Sequence, residues 1–255
     1  MSKIKVGVFG GGRGSTMVWQ LLNHPDAELV AVCDKYPPVL KACGETAAKA
    51  GVKVALYETF DEFIKHDMDA VVLANYANEH AIFAVKCFEA GKHVMSEVLP
   101  GETPAQIVKL IETVQRTGLV YSYAENYCYM KPTFEMWKRY RNGDIGEIQY
   151  AEGEYVHDCS SIRPWIMYGD KNHWRMRMFP TFYCTHSCGP LITISGLRAV
   201  KVVGFDTNKN YEEKQMRIAS PYGAALEMIT LENGAIVKSL HGGLKIEPSS
   251  INYQV

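Results

Sequence analysis

Gly10, Gly12 and Gly14 stand with Arg13 and Ser15 where the apolar run KIKVGVF, residues 3–9, gives way to a stretch with Val18, Leu21 and Leu22 at helical spacing. Glycines at a strand-to-helix turn omit the Cβ atoms that would hold a pyrophosphate away, and the helix start offers free N–H groups and a positive dipole end. Counted from Gly10, the third fingerprint glycine falls at Ser15, so the spacing alone is imperfect. Asp34 strengthens it, because it ends the second apolar run, ELVAVC at residues 28–33, where an acid would accept from a ribose 2′-hydroxyl and repel a 2′-phosphate. The pattern points to NAD in preference to NADP, with Lys35 leaving some room for a phosphate; a glycine turn beside a helix-capping Asp is the plainer alternative. Further along, Tyr155 and His157 at i and i+2 share a face if they lie on a strand, so one phenol and one imidazole would share a pocket. Cys184, His186 and Cys188, with His157 and Cys159, offer soft metal ligands, but Cys-x-His-x-Cys lacks the C-x2-4-C knuckle of zinc sites, and no metal is expected.

Those residues need elements to hold them. After the glycine turn and the strand at 28–33, the pattern predicts a helix near residues 38–50, a short strand at 52–57 and a helix opened by Thr59 with Glu62 as a capping box. A buried strand at 70–74, a helix at 80–90 stopped by Gly91, and a strand at 93–96 follow. Thr103, Pro104 and Gln106 then open a helix that Gly118 closes, ahead of a strand at 119–124. Strands alternating with helices imply a doubly wound parallel sheet, a Rossmann arrangement, over residues 1–123. From 124 to 255 the register changes: one helix at 132–141, then longer strands at 147–157, 200–205, 224–231 and 235–241, the last two joined at Asn233-Gly234 as a hairpin. This predicts a second, α+β domain on an open, mostly antiparallel sheet. Residues 251–255 read as another strand with no closing helix, which points to a C-terminal segment beyond this chain.

Composition narrows the function. Apolar residues make up 47% and charged ones 22%, which is the balance of a globular chain and excludes disorder and collagen. Twenty-seven basic against twenty-eight acidic side chains leave a formal charge of −1, so no cationic excess exists for nucleic acid or an anionic bilayer. The longest run without Asp, Glu, Lys or Arg, residues 178–197, is broken by Pro180, Gly189, Pro190 and Gly196 and reads as a loop and a core element, not a spanning helix. The apolar stretch at 6–9 is too short for a signal peptide, and seven Cys, an odd number, fit reduced thiols; the cytoplasm is the expected location.

The glycine turn, Asn75-Tyr76-Ala77-Asn78-Glu79-His80 and Ala90-Gly91-Lys92-His93-Val94-Met95-Ser96-Glu97 together resemble the Gfo/Idh/MocA oxidoreductases of sugars and cyclitols, and the resemblance runs the length of the chain. It implies a Rossmann domain and an open-sheet substrate domain, with Gly10, Gly12, Arg13, Gly14, Ser15, Asp34, Asn75, Asn78, His80, Glu97 and Glu125 around the cofactor and Glu97 near its nicotinamide end. Most members follow that Glu with Lys-Pro, the Lys acting at the substrate hydroxyl. Here the chain reads Glu97-Val98-Leu99-Pro100, and valine moves no proton. Taking hydride from a carbinol carbon still requires a group to accept the hydroxyl proton.

Glu125-Asn126-Tyr127-Cys128-Tyr129, Tyr155-Val156-His157-Asp158 and Tyr183-Cys184-Thr185-His186 look like segments of one branch, the NAD-dependent glycosidases typified by α-N-acetylgalactosaminidase. That branch keeps its NAD: C3 of the sugar is oxidised, the C2 proton is lost, the aglycone is eliminated, water adds and the ketone is reduced. The resemblance implies His186 as the hydroxyl base with Tyr183 beside it, and Tyr155 and His157 in the same pocket. Trp165, Trp174 and Arg175, with His173, form an aromatic stretch whose rings would stack on a sugar and whose guanidinium would fix its hydroxyls, or which packs on the domain surface. The expected activity is NAD-dependent hydride transfer from a sugar or glycoside hydroxyl. Redox-neutral glycoside cleavage and a sugar- and dinucleotide-responsive binding protein without turnover are the alternatives. The open sheet's bare face would need covering, so a homodimer or homotetramer paired through it is expected.

Overall fold

The computed structural model describes residues 2–159, 161, 166–167, 170, 173–176, 178–207, 223–244 and 249–255. Trp165 lies outside them. Two compact units divide the chain, Met1–Ala124 and Glu125–Val255.

In the first unit, β1 (Ile4–Phe9), β2 (Ala27–Cys33), β3 (Ala55–Tyr57), β4 (Ala70–Leu73), β5 (His93–Ser96) and β6 (Tyr121–Tyr123) form one sheet in the order β3-β2-β1-β4-β5-β6. Every pairing in it is parallel. The helices are α1 (Ser15–Leu22), α2 (Pro37–Lys49), α3 (Phe60–Phe63), α4 (His80–Glu89) and α5 (Pro104–Thr117). The strands are apolar on both faces because each face meets a core: Phe60, Phe63, Phe88 and Leu110 gather in one cluster, and Val8, Val18, Leu29 and Leu40 in the other. Strand order reverses between β1 and β4, and in an open parallel sheet the crevice at such a point, outside the carboxyl ends of the strands, is where ligands bind. The α5 capping box forms as the sequence predicts: Thr103 Oγ1 accepts from the N–H of Gln106, and Gly118 closes the helix at φ 66°. The box at Thr59 does not form. Thr59 makes no capping bond and Glu62 instead meets Lys65 at 2.6 Å, which leaves α3 a single turn.

In the second unit, α6 (Lys131–Arg141), β7 (Tyr150–Val156), α7 (Thr185–Ser195), β8 (Ala199–Asp206), β9 (Ala224–Leu231), β10 (Ile236–Gly242) and β11 (Ser250–Gln254) build a sheet in the order β11-β7-β10-β9-β8. Its pairings are antiparallel except β7 with β10, and β9 and β10 form the expected hairpin. Leu191 and Ile194 of α7 pack with Ala151, Ile229 and Val237 on one sheet face.

Within the run at 178–197, read as a loop and a core element, residues 185–195 supply the core element. They are helical despite Gly189 and Pro190. A proline at this point cannot donate to the carbonyl of His186, four residues back. Tyr253 Oη on β11 donates to that carbonyl instead, at 2.5 Å. Gly189 faces Glu125 closely, since a Cβ there would come within 3.2 Å of Glu125 Cγ, tighter than side chains usually pack. Across the interface, a Cβ on Gly153 of β7 would run into the carbonyl of Ser187. Missing side chains thus let helix and strand approach. Among the described residues, no helix is long and apolar enough to cross a membrane.

Gly153→Ala is expected to destabilise the protein by about 1–3 kcal/mol, the usual cost of overpacking, read as a lower urea midpoint. An unchanged midpoint would show that α7 does not rest on β7 at this point.

Candidate active site

The glycine turn leaves β1 with the N–H of Gly10 bonded to Cys33 O at 2.8 Å and the N–H of Gly14 bonded back to Gly10 O at 2.8 Å. Gly10 takes φ 97°, and a Cβ on it would collide with the backbone of Ala74 and Asn75 at the end of β4. Only glycine holds that position. Gly14 caps α1 without a side chain, so no side chain occupies the helix's first N–H groups. Ser15 is the first helical residue, and Asp34 braces the turn: Oδ2 accepts from the N–H of Gly12 at 3.3 Å and Oδ1 from that of Tyr36 at 2.9 Å. Beside it, the hydroxyls of Tyr36 and Tyr76 meet at 2.9 Å, and Lys35 Nζ sits 4.0 Å from the Tyr76 ring centre.

Asn75 donates to Glu79 at 3.2 Å, but its Oδ1 and that of Asn78 are buried without a hydrogen-bond donor among the described residues. Glu97 accepts from the N–H of Val98 at 3.0 Å and pairs with Arg13 at 2.6 Å, tying the tip of the glycine turn to the end of β5. His80 is 1% exposed, with Nδ1 2.7 Å from Leu99 O and Nε2 3.3 Å from Asn75 O. Burial pushes this imidazole below its ordinary pKa. It is a strut between the turns after β4 and β5, and both its nitrogens face backbone. A Cβ-free turn, an uncapped helix start and two orphaned amide oxygens are what a dinucleotide would fill.

The second unit holds a different cluster. Glu125, expected beside the cofactor, is 1% exposed and spends its oxygens within this unit. They accept from Thr185 Oγ1 at 2.6 Å, from His186 Nδ1 at 2.8 Å and from the N–H of Tyr127 at 3.1 Å. Burial opposes its ionisation, yet these bonds outweigh it and hold the carboxyl below its ordinary value of 4.5. Holding the proton on Nδ1 leaves Nε2 of His186 as the acceptor. Three phenol rings surround the imidazole, with centroids 4.8 Å away for Tyr127, 4.7 Å for Tyr155 and 5.1 Å for Tyr183. Burial, followed by the charges of Tyr127, Tyr183 and Cys159, pushes the Tyr155 phenol up; burial likewise raises Tyr127. Near neutral pH these groups can donate hydrogen bonds and cannot act as bases.

His157 stacks on Tyr155 at 6.0 Å, as the i, i+2 spacing predicts, and its Nδ1 lies 2.9 Å from Cys159 Sγ. Trp174 is buried and stacked against His173 and Tyr183, so its ring is a packing element; the Arg175 guanidinium lies over it at 4.5 Å. Among the described residues, no three His, Cys, Asp or Glu side chains gather as a metal site. Sequence reasoning named Tyr127 and Thr185 within motifs but gave them no role, and it did not single out Tyr253. The first two sit beside Glu125 and His186 in the chain; Tyr253 carries no local signal.

Glu125→Gln is expected to lower stability at pH 7 by about 1.5–3 kcal/mol, as for hydrogen bonds to a charged group. Because the folded-state pKa is depressed, this contribution is present above 4.5 and is lost as pH falls through the lower folded value. The gap in urea midpoint between the two proteins should therefore be constant above pH 4.5 and narrow as pH falls below it; a gap that widens below pH 4.5, or none at pH 7, would contradict an ionised Glu125.

Residues 4–125 match the oxidoreductase family with an NAD-binding Rossmann fold, Gfo/Idh/MocA. The chain is 28% identical over 278 residues to Glycosyl hydrolase family 109 protein 1 of Bacteroides thetaiotaomicron, covering 100% of this chain and 59% of that protein. It is 30% identical over 287 residues to Glycosyl hydrolase family 109 protein 4 of Phocaeicola vulgatus, covering 100% of this chain and 54% of that protein. The chain thus spans a little over half the length of these curated relatives. Among solved structures, myo-inositol 2-dehydrogenase from Lactobacillus plantarum superposes with TM-score 0.81 at 16% identity, over 99% of this chain and 73% of that one. The scyllo-inositol dehydrogenase of Lactobacillus casei, solved with NAD(H) and scyllo-inositol, gives TM-score 0.76 at 19% identity, over 99% and 73%. The match to the Gfo/Idh/MocA oxidoreductase family thus covers the first unit, and the similarity to the glycosyl hydrolase family 109 relatives runs on through the second.

Proposed function

We propose that this protein removes hydride from a hydroxyl-bearing carbon of a sugar or glycoside, with His186 taking the hydroxyl proton. The observation that carries this reading is the buried Glu125–His186 pair at 2.8 Å, in a chain where Val98 stands in place of the usual lysine. Bound NAD supplies the hydride acceptor. The chain's own part is to hold and to move protons. Glu125 fixes the Nδ1–H tautomer, and Nε2 receives the hydroxyl proton. Asp34 supports NAD over NADP, because a buried carboxylate would repel a 2′-phosphate.

A second reading, redox-neutral cleavage of a glycoside through a transient 3-keto sugar, is favoured by the protonated phenols of Tyr155 and Tyr127. Such donors suit the enolate oxygen that forms when the C2 proton leaves. The glycosyl hydrolase relatives point the same way.

We also propose a homo-oligomer. Val203 and Phe205, 44% and 64% exposed, project from β8 with Leu226 and Met228 of β9 on the sheet face opposite the α7 core. A second copy would cover them. Seven thiols, an odd number, suit the reducing cytoplasm.

One assay separates the readings. Aryl glycosides and free sugars are mixed with the protein and NAD or NADP, and aglycone release and reduced-nicotinamide absorbance are followed together. NADH rising with substrate loss is expected of the first reading, and NAD-dependent aglycone release without accumulating NADH of the second, with His186→Ala lowering kcat about 10²–10⁴-fold in either. A thermal shift with NAD but neither product, or an unaffected His186→Ala variant, would overturn the catalytic reading. Sedimentation at micromolar protein should give a dimer or tetramer, and a monomer mass would remove the oligomer.

A further inference from the structure

The second unit contains another glutamate and histidine, which the proposed chemistry leaves unused. Glu227 on β9 and His241 on β10 are both buried, and Oε2 of the first lies 3.4 Å from Nδ1 of the second. Ser239, two residues before His241 and paired with Glu227 in the β9–β10 register, donates to Glu227 Oε2 at 2.8 Å. Its hydroxyl also lies 2.8 Å from that of Ser187 in the first turn of α7, which ties the pair to the start of the helix. The other carboxylate oxygen, Glu227 Oε1, is buried and meets no donor among the described residues. Nε2 of His241 meets the carbonyl of Pro180.

Both ring nitrogens of His241 therefore face acceptors, one a carboxylate and one a carbonyl. A neutral imidazole has a single N–H, so this setting calls for the imidazolium. Burial opposes that charge, but Glu227 and then the Pro180 carbonyl outweigh it and hold the imidazole above its ordinary 6.5. The other titratable groups packed here work in the same direction or stay neutral. Cys184, at the start of α7, is lowered by its hydrogen bond with Cys188, and negative charge on it favours the imidazolium too. Tyr155, opposite His241 in the β7–β10 register, is pushed up by burial. Pro180 opens the single turn Pro180–Tyr183 that leads into α7, and Tyr183 sets its ring edge-on to His186 at 5.1 Å.

We propose that His241, held by Glu227, is a positioning residue for the candidate base: through the Pro180 carbonyl it seats the turn that carries Tyr183 against His186. As an imidazolium it donates to Glu227 and to Pro180 at once. With one proton gone, a single N–H is left for two acceptors, and one of the two contacts is lost. Because the folded-state pKa is raised, the contribution of the pair is complete below 6.5 and is lost as pH rises through the folded value. The consequence for turnover rests on the proposed role of His186, whereas the clamp on the turn does not.

The first test needs no turnover. The full chain with nitrogen-15-labelled histidine is titrated upward from mildly acidic pH, and the ring signals of His241 and His186 are followed by NMR. His241 should carry protons on both nitrogens at pH 6.5 and lose one above it. The His186 ring should show a step with the same midpoint, and His241→Gln should abolish that step. Glu227→Gln keeps the shape of the side chain and removes its charge, so it should bring the midpoint down by about 1–3 pH units. A neutral His241 at pH 6.5, a His186 ring indifferent to the titration of His241, or an unmoved midpoint in a folded Glu227→Gln protein would overturn the proposal. Should the variants not fold, the wild-type titration decides alone. In the paired assay kcat should fall about 10–100-fold across the same midpoint, the cost of a misplaced catalytic group, with the KM for NAD unchanged. A chain that turns over with kcat indifferent to that midpoint also overturns the proposal. A chain without turnover at any pH sinks the proposed function instead, and the titration still decides the role of His241.

Discussion

A carboxylate taken out of water must be met by donors, or the fold loses several kcal/mol. Glu125 is such a carboxylate, and the second unit is organised around meeting it. Its partners come from two places in the chain: the N–H of Tyr127 just after it, and the first turn of α7, which brings Thr185 and His186. The demand for donors fixes where α7 begins. Gly189 and Gly153 then remove the side chains that would keep the helix from Glu125 and from β7, and Tyr253 supplies the hydrogen bond that Pro190 cannot. A strong local signal against a helix is overridden by contacts that only the folded chain contains.

The same carboxylate defines the chemistry. Because Glu125 occupies Nδ1, His186 presents its other nitrogen, and burial raises the phenols of Tyr155 and Tyr127 above their ordinary value, so they stay protonated near neutral pH. Base and donors are therefore separated by environment among residues that would otherwise overlap in function. Under the proposed function that separation would give the carbinol proton a group to go to in a chain where Val98 offers none.

In the first unit the controlling constraint is steric. Gly10 lies against the backbone at the end of β4, so the turn has room for no side chain there, and Asp34 holds the turn from the other side through the N–H of Gly12. Asp34 thus braces the turn as well as carrying the acidic character expected at a ribose. His80 has a comparable double history: it belongs to a motif associated with the cofactor, yet its nitrogens are directed at the Leu99 and Asn75 carbonyls, so its contribution is to hold two loops at a set separation.

The amino-acid sequence by itself determined what is local. Alternating apolar runs and capped helices declared the parallel sheet, the glycine turn and Asp34 declared the dinucleotide corner, and the i, i+2 spacing put Tyr155 and His157 on one face. These rest on φ/ψ preference, capping and side-chain periodicity within a few residues, which a linear chain displays openly. Only the tertiary structure decided what depends on distant partners. Glu125 and His186 are separated by 61 positions and Tyr253 and His186 by 67, so neither the helix at 185–195, nor the role of Glu125, nor the burial of Trp174 has a local signature. Each follows from which groups the fold leaves without water, and that is a property of packing, not of any window of sequence.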